Sequence, residues 1–299
     1  MSAPAQPQKT QRRSPLKPSS TYLFALTSTC ISFGIIALIL LTLIIQSGPV
    51  IFESAGSLLS THWSPADNIY GIVPMLFGSV TVMIIALALA LPIGGLAAIA
   101  ISEIKTARRR QLIKSTLEIL ASIPSIVYGL IAVAYVSLWV ADMFDLQSGR
   151  IILTAGIILS VMILPTFLSL SEDAIKAVPK AYKENAAALG LYQHETIVSA
   201  VLPAAAPGIA AAALLALGRA LGETMAVMLV IGSLDRLPDP IFNVLSSGQT
   251  ITSKLGREVG ESAFGSTHFS ALVLMSLILV CITLSLTFAA QRLFKPIAS

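Results

Sequence analysis

Long apolar runs separated by short polar segments dominate the chain. Six of these runs are long enough to cross a lipid bilayer as helices, for which about 20 apolar residues suffice. The runs cover residues 22–46, 71–101, 115–141, 151–170, 207–232 and 269–290. This pattern predicts an all-α membrane protein with six transmembrane helices.

The polar segments between the runs divide the chain further. Residues 1–21 are rich in Pro, Ser, Gln and basic residues and contain too few apolar side chains to form a core, so we expect a disordered cytoplasmic tail. The first transmembrane helix then covers residues 22–46, and residues 47–70 form an extracytoplasmic loop without Lys or Arg. Residues 71–295 form the transmembrane core, which includes a polar loop at residues 171–206.

The distribution of basic residues fixes the expected orientation. Fourteen of the 19 Lys and Arg residues lie in the amino-terminal tail, in residues 102–115, in the polar loop or after the last run. Four lie in the alternate loops, and Arg219 lies within the fifth run. Because cytoplasmic loops carry an excess of Lys and Arg, both termini and the polar loop are predicted to be cytoplasmic.

Composition excludes several classes of function. Hydrophobic residues make up 55% of the chain, charged residues 11%, and the mean hydropathy is +0.85, values outside the range of soluble globular domains. The net charge is +4, but the basic residues are distributed as the membrane topology predicts, so this charge does not indicate nucleic-acid binding. The two cysteines lie inside apolar runs and the three histidines are scattered, so we predict no disulfide and no metal site.

The polar loop contains two short helices by its local chemistry. Lys180 to Leu189 is rich in Ala, Lys and Glu, which favour helices, and Gly190 follows as a carboxyl-terminal cap. A second helix is predicted from Gln193 to Val201, ended by Leu202-Pro203 because proline restricts the residue before it. An ordinary amphipathic hairpin is the alternative to a functional loop.

The fifth run contains the most unusual charges of the sequence. Arg219 lies near its middle, and Glu223 follows four residues later, which would place both on one helix face. A charged residue at this depth costs about 2.5 to 3.5 kcal/mol on insertion scales, so it indicates a bundle interior or a polar pathway. Either Arg219 binds an anion in transit and Glu223 regulates it, or the two form a structural ion pair.

A second unusual stretch lies in the third run. Pro124 removes a helical hydrogen bond, and Ser125 and Gly129 could repair the backbone or line a cavity. Glu118 follows Lys114 by four residues near the cytoplasmic end and is expected to pair with it.

Five residues of the polar loop resemble the EAA loop of ABC-type import permeases. They are Glu184, Ala186, Gly190, Leu202 and Pro203. Asn185 and Ala200 depart from the usual pattern by small changes. In that family the loop seats in a cleft of an ATP-hydrolysing subunit, so the resemblance assigns these five residues to coupling. The chain has no glycine-rich Walker A motif, so the ATPase would be a separate subunit.

Further motifs narrow the resemblance to the permease subunit of phosphate-specific ABC importers, of the PstC type. They are Trp63-x-Pro65, Tyr70-Gly71-Ile72-x-Pro74, residues 118–129 (EILASIPSIVYG) and residues 218–227 (GRALGETMAV). Ser79 departs from the pattern, since Thr commonly follows the glycine. The resemblance implies the six-helix fold of type I ABC importer permeases, in a bacterial inner membrane, with Arg219 and Glu223 on the anion pathway.

The resemblance also implies partners. They are a sister permease of the PstA type, a dimer of PstB-type ATPase subunits and an extracytoplasmic phosphate-binding protein of the PstS type, together with membrane lipid. This chain would bind no cofactor, and ATP and Mg would be used by the ATPase. The alternatives are a permease for sulfate or molybdate, the PstA-type sister subunit, and a channel or sensor that needs no ATP. An enzyme is disfavoured because no nucleophile, base and oxyanion donor converge.

Overall fold

The computed structural model describes residues 20–104 and 106–293, and this part of the chain is mainly helical. Six of its helical segments are long and apolar enough to cross a membrane, which confirms the predicted fold class. They are Tyr22–Glu53, Val73–Ser102, Ser125–Met143, Ile152–Ala177, Gln193–Gly222 and Thr267–Ala289. Of the predicted disordered tail, residues 1–19 lie outside the described residues.

The helices are numbered in chain order. They are α1 (Ser20–Glu53), α2 (Val73–Ser102), α3 (Ala107–Ser122), α4 (Ser125–Ile131), α5 (Ser137–Met143), α6 (Ile152–Ala177), α7 (Lys180–Ala188), α8 (Gln193–Thr196), α9 (Leu202–Gly222), α10 (Met225–Val230), α11 (Ile251–Glu258) and α12 (Thr267–Leu293). Two antiparallel strands, β1 (Trp63–Ser64) and β2 (Ile69–Tyr70), form a short hairpin. The described residues up to Ile45 form one compact unit, and those from Gln46 onward form a second unit.

Helix α6 is the centre of the second unit. It packs against α2, α9, α3 and α10, and most of its membrane-spanning length is buried. Small residues allow the helices to approach closely, because a methyl group at Gly94 of α2 would lie 2.6 Å from Phe167 of α6. A methyl group at Gly208 of α9 would lie 2.6 Å from the Cβ atom of Ala174 of α6. Close packing of small residues therefore holds α2, α6 and α9 together.

Four predicted spans need correction. The first continues to Glu53 instead of 46, and the fourth continues to Ala177 instead of 170. The third begins at Ser125 instead of 115, because the chain turns extended at Ile123-Pro124 and α3 is a separate helix before this break. The fifth begins at Gln193 and ends at Gly222, so the predicted run of 207–232 contains a break in the helix. Proline causes the first break, and the causes of the second are described below.

A buried carboxylate connects α3 to α6 at the end of α6 that leads into the polar loop. Glu172 is fully buried and forms ion pairs with Lys114 (2.6 Å), Lys176 (3.3 Å) and Arg110 (3.8 Å). Lys114 also pairs with Asp173, so its expected pairing with Glu118 is wrong. A buried carboxylate requires such partners. Helix α6 places Glu172 beside the basic residues Arg110 and Lys114 of α3.

The charge of Lys114 is stable at physiological pH. Burial lowers the pKa of Lys114, but the hydrogen bonds and charges of Asp173 and Glu172 raise it more, so the pKa lies above its usual value of 10.5. Since the pKa is raised in the folded state, the stabilisation is complete below pH 10.5 and is lost only as the pH rises through the folded-state pKa.

A second charged cluster lies at the opposite end of the bundle, around Lys254 of α11. Its side chain is fully buried, and its Nζ atom lies 2.7 Å from Asp235 and 2.5 Å from Glu258. The same atom lies 5.1 Å from the ring centroid of Trp63, within the range of a cation–π interaction. Glu258 also contacts His268 at 3.0 Å. The cluster therefore connects the hairpin, α11 and the start of α12.

We predict that Lys254→Met lowers stability by about 3 kcal/mol, because Asp235 and Glu258 lose their buried counter-charge. This figure is at the low end for buried pairs, since the Asp235 side chain is 35% exposed. The measurement is thermal unfolding in detergent, followed by tryptophan fluorescence. Arg236→Met, an exposed cation in the same segment, is the control and should leave the unfolding temperature unchanged. Equal unfolding temperatures for both variants would contradict this account.

Candidate substrate pathway and loop surface

The helix break between α9 and α10 contains the predicted site residue Glu223. Helix α9 ends at Gly222, Glu223 is extended with ψ 125°, and α10 begins at Met225. Irregular backbone at membrane depth is tolerated only where its polar groups find partners or line a cavity. The Glu223 carboxylate accepts a hydrogen bond from the Ala226 backbone N–H at 3.1 Å. Glu223 therefore caps the first turn of α10 with its own side chain.

A segment from the distant polar stretch supplies the other partners of the break. Residues 249–254, named the re-entrant segment here, are all buried between the break and α2. The Thr252 hydroxyl donates to the Glu223 carbonyl at 2.7 Å, and the Ile251 N–H donates to the Ser79 hydroxyl of α2 at 2.9 Å. A methyl group at Gly78 would lie 2.0 Å from the Gln249 carbonyl oxygen, so this approach requires glycine.

Sequence reasoning missed the re-entrant segment because it assigned residues 233–267 to a single outer loop. A signal was present in Gln249-Thr250-Ile251-Thr252-Ser253, which is polar but uncharged and follows a glycine. Thr250 caps α11, since its hydroxyl accepts from the Ser253 N–H at 3.2 Å. The uncharged residues 249–253 are compatible with burial, whereas Lys254 is buried because Asp235 and Glu258 pair with it.

The second predicted site residue, Arg219, is partly buried and lies in the last turn of α9. Its guanidinium donates to the Thr166 hydroxyl of α6 at 2.9 Å and to the Ala121 carbonyl of α3 at 3.0 Å. Because α9 ends before Glu223, the i+4 geometry does not apply, and the predicted shared helix face is wrong. Among the ion pairs of the described residues, none joins Arg219 to a carboxylate.

The stretch around Pro124 contributes to the surroundings of Arg219. The helix ends before Pro124, so the last carbonyls of α3 need partners outside the helix. The Tyr128 hydroxyl donates to the Leu120 carbonyl at 2.8 Å, and Arg219 serves the Ala121 carbonyl. Pro124 thus precedes α4 as its cap, and Ser125 is the first residue of α4.

Gly129 of α4 has a packing role. A methyl group there would lie 2.9 Å from the Ala226 Cα atom and 2.8 Å from Leu229. The glycine therefore lets α4 lie directly against α10, beside the helix break.

A small cavity adjoins the break. Ser79, Glu223, Thr250 and Thr252 supply its polar lining. Its volume is about 10 Å³, which is close to the lower limit for one water molecule. An oxyanion can enter this position only if the re-entrant segment or the surrounding helices move apart. The hydroxyl groups of this lining can donate to an oxyanion, whereas the Glu223 carboxylate repels one, and the Arg219 guanidinium is outside the lining.

The polar loop folds largely as its sequence predicts. Helix α7 is followed by Gly190 in the left-handed conformation, with φ +83°. The Leu191 N–H bonds to the Ala186 carbonyl at 3.2 Å and the Gly190 N–H to the Ala187 carbonyl at 3.0 Å, which is a Schellman cap. Glu184 is exposed, whereas Ala186 is buried. The second helix begins at Gln193, also as predicted.

The predicted end of the second loop helix at Leu202-Pro203 is wrong. Residues 197–201 form a π-helical turn, and the helix continues through Pro203 into α9. A π turn changes the hydrogen-bond pattern ahead of Pro203, and proline is compatible with the first turn of the helix that follows. Leu202 packs with Val201 and Ala205. The loop is thus rigidly continuous with the membrane span of α9.

The loop presents an apolar surface to the solvent. Leu189 is 82% exposed, Tyr192 72% and Val198 63%. Exposed apolar side chains on a polar loop indicate a protein interaction site.

Glu103 fixes the loop helices to α2, a contact that sequence reasoning did not identify. Lys183 of α7 donates to its carboxylate at 2.9 Å, and Gln193 of α8 donates to the other oxygen at 2.6 Å. Glu103 follows the last residue of α2 directly. This carboxylate therefore joins both loop helices to the end of α2.

Comparison with known proteins assigns the fold and the family. A model of the binding-protein-dependent transport system inner membrane component family matches residues 90–297. The chain is 36% identical over 225 residues to the probable ABC transporter permease protein YqgH of Bacillus subtilis, covering 75% of this chain and 72% of that protein. It is 33% identical over 284 residues to the phosphate transport system permease protein PstC of Haemophilus influenzae, covering 88% and 87%.

Solved structures of ABC transporters have the same fold. The bacterial alginate ABC transporter in complex with an alginate pentasaccharide-bound periplasmic protein superimposes with a TM-score of 0.59 at 16% identity, covering 92% of this chain and 94% of that chain. The MetNI methionine ABC transporter superimposes with a TM-score of 0.54 at 17% identity, covering 77% and 95%. The chain therefore belongs to the family of binding-protein-dependent transport system inner membrane components, the membrane-spanning permease subunits of ABC importers.

Proposed function

We propose that this chain is the permease subunit of an ATP-driven importer of inorganic phosphate. The observation that carries the proposal is the guanidinium of Arg219, whose hydrogen bonds within the described residues go to two neutral oxygens and which belongs to the last turn before a helix break. A cation without a counter-charge in a low-dielectric environment attracts an oxyanion. The similarity to PstC-type permeases supports phosphate as the anion.

The chain acts as a transport subunit rather than as an enzyme, with other ABC importer subunits as partners. The proposed partners are a PstA-type sister permease, two PstB-type ATPase subunits and a PstS-type phosphate-binding protein outside the membrane. ATP and Mg are used by the ATPase, and this chain holds no cofactor. Both termini are cytoplasmic in this proposal, so that the polar loop faces the ATPase. Glu184, Ala186, Gly190, Leu202 and Pro203 then form or support the coupling surface.

The geometry supports a mechanical route from the ATPase to the pathway. Closure of the ATPase dimer displaces α7 and α8, and Glu103 transmits the displacement to α2 through Lys183 and Gln193. Helix α2 holds the re-entrant segment through Ser79 and Ile251. Since Thr252 binds the Glu223 carbonyl, a movement of α2 changes the hydrogen bonds of the helix break. Alternating access then consists of opening the space beside Arg219 to one side of the membrane at a time.

We predict that Arg219→Gln lowers labelled phosphate uptake by about tenfold or more, because it removes a charged donor to the anion but keeps an amide of similar polarity. Arg219→Lys should retain part of the activity, since charge is kept and the planar fork is lost. The measurement uses cells that lack their own PstC-type subunit and carry this chain with its partners, at equal membrane abundance and with sulfate as competitor.

Thr166→Val separates transport from packing in the same assay. It removes the hydroxyl partner of Arg219 but leaves the guanidinium in place. If Arg219 serves the anion, this variant keeps most of the uptake. An equal loss in Thr166→Val and Arg219→Gln would show instead that the guanidinium acts through its hydrogen bonds to α6. Arg236→Gln, an exposed cation elsewhere, should behave as wild type.

We predict that Glu103→Gln reduces the number of phosphate ions imported per ATP hydrolysed by several-fold. The Glu103–Lys183 pair is partly exposed, so its loss costs about 1 kcal/mol or less of stability and the chain still folds. The connection between the loop helices and α2 is nevertheless weakened. Uptake and ATP hydrolysis are measured together in proteoliposomes that contain the complete importer. Glu118→Gln, an exposed carboxylate on α3, is the matched control, and identical ratios in both variants would refute the role of Glu103.

A further inference from the structure

A second cationic site lies beyond the helix break, toward the end of the bundle opposite the polar loop. An open cavity of about 590 Å³ is bounded by α4, α10, α11 and Arg150, which lies two residues before α6. Two arginines, Arg150 and Arg257, line it together with apolar side chains that include Leu130, Val133 and Met228. None of the motifs discussed above accounts for these two cations.

The backbone of Arg150 and the guanidinium of Arg257 are each held by hydrogen bonds. The Ser247 hydroxyl donates to the Arg150 carbonyl at 3.0 Å. A methyl group at Gly232, whose φ is +91°, would lie 2.4 Å from the same carbonyl oxygen. Only glycine therefore lets the backbone at residue 232 lie this close to the backbone of Arg150. The Arg257 guanidinium donates to the Met228 carbonyl at 3.1 Å, which fixes it against the end of α10. The fixed guanidinium of Arg257 binds an anion with a smaller loss of conformational entropy than a mobile cation would, and the exposed side chain of Arg150 can adjust to the same ligand.

The charges of the two arginines are not compensated within the described residues. Neither Arg150 nor Arg257 takes part in an ion pair there. Glu258, next to Arg257 in sequence, is already paired with Lys254 and His268. Two like charges on one cavity repel each other and raise its positive potential, and a bound anion removes this repulsion.

The cavity adjoins the helix break directly. Gly256 lines the cavity, and a methyl group on it would lie 2.7 Å from the Thr224 side chain and 3.6 Å from the sulfur of Met228. An anion held by Arg150 and Arg257 is therefore separated from the break by the contact between Gly256 and Thr224. Ser233, on the cavity wall, has a φ of +67°, which is unfavourable for a residue with a side chain. Such strain is typically found at functional positions.

We propose that Arg150 and Arg257 form an additional binding site for a phosphate-type oxyanion, which holds the ion before it passes the helix break to Arg219. The transport step rests on the proposed function, whereas anion binding at the two arginines does not. Guanidinium groups match the geometry of phosphoryl oxygens by paired hydrogen bonds. A free phosphate ion and the phosphodiester of a lipid headgroup share this chemistry, and the apolar lining is compatible with either source.

The test uses the complete importer, reconstituted with phosphatidylcholine alone or with added phosphatidylglycerol. Binding is measured on the wild type as the protection of Arg257 from phenylglyoxal by inorganic phosphate, quantified by peptide mass spectrometry. Transport is measured as labelled phosphate uptake of the double variant Arg150→Gln/Arg257→Gln. We expect protection of Arg257 and a loss of uptake of about tenfold in both lipid mixtures. Arg236→Gln, which removes an exposed cation that does not line this cavity, should leave uptake unchanged.

The remaining outcomes are distinct. If phosphatidylglycerol alone protects Arg257 and the variant loses uptake only in its presence, the oxyanion site is supported and its ligand is the lipid headgroup. If neither inorganic phosphate nor phosphatidylglycerol protects Arg257, and the double variant transports like Arg236→Gln, the site is refuted while import stands. Protection of Arg257 by phosphate in a complex that imports no phosphate would retain the site and refute the proposed function. The protection measurement on the wild type holds even if the double variant fails to assemble.

Discussion

The fold depends on one constraint, namely that a helix broken inside a membrane must find partners for its freed backbone groups. The break between Gly222 and Met225 meets this requirement with the Glu223 carboxylate on one side and the Thr252 hydroxyl on the other. The re-entrant segment can reach the break only because Gly78 permits its backbone to touch α2. Its far end is anchored by Lys254, whose buried charge is shared by Asp235 and Glu258. The polar centre of the bundle is thus assembled from parts distant in sequence.

This arrangement makes α2 the connection between the two ends of the molecule. One end carries Glu103, which binds both loop helices, and the other carries Ser79, which binds the re-entrant segment. Helix α6 is the packing centre and is fixed to α3 by the buried Glu172. A movement of α2 would therefore alter the helix break. Because α2 and α6 share one buried core, α6 would have to move or repack with it.

Local chemistry explains what could be predicted from the sequence. The spans follow from apolar length, and the cap at Gly190 follows from a glycine after an Ala-rich helix. The separation of Arg219 from Glu223 could not be predicted, because a continuous helical pattern runs through Gly222 and the break is stabilised by Thr252, 29 residues later. The passage of the helix through Pro203 depends on a π turn without a sequence signal of its own. The burial of Lys254 likewise depends on partners brought together by the fold.

The central claim is that the anion passes Arg219 at the helix break. Its most direct test is a cryo-electron microscopy structure of the assembled importer with phosphate supplied through the binding protein. The account predicts oxyanion density within hydrogen-bond distance of the Arg219 guanidinium, with the re-entrant segment displaced from Glu223. Density along a route that does not contact residues 219–224, with Arg219 still bound to Thr166 and Ala121, would contradict it.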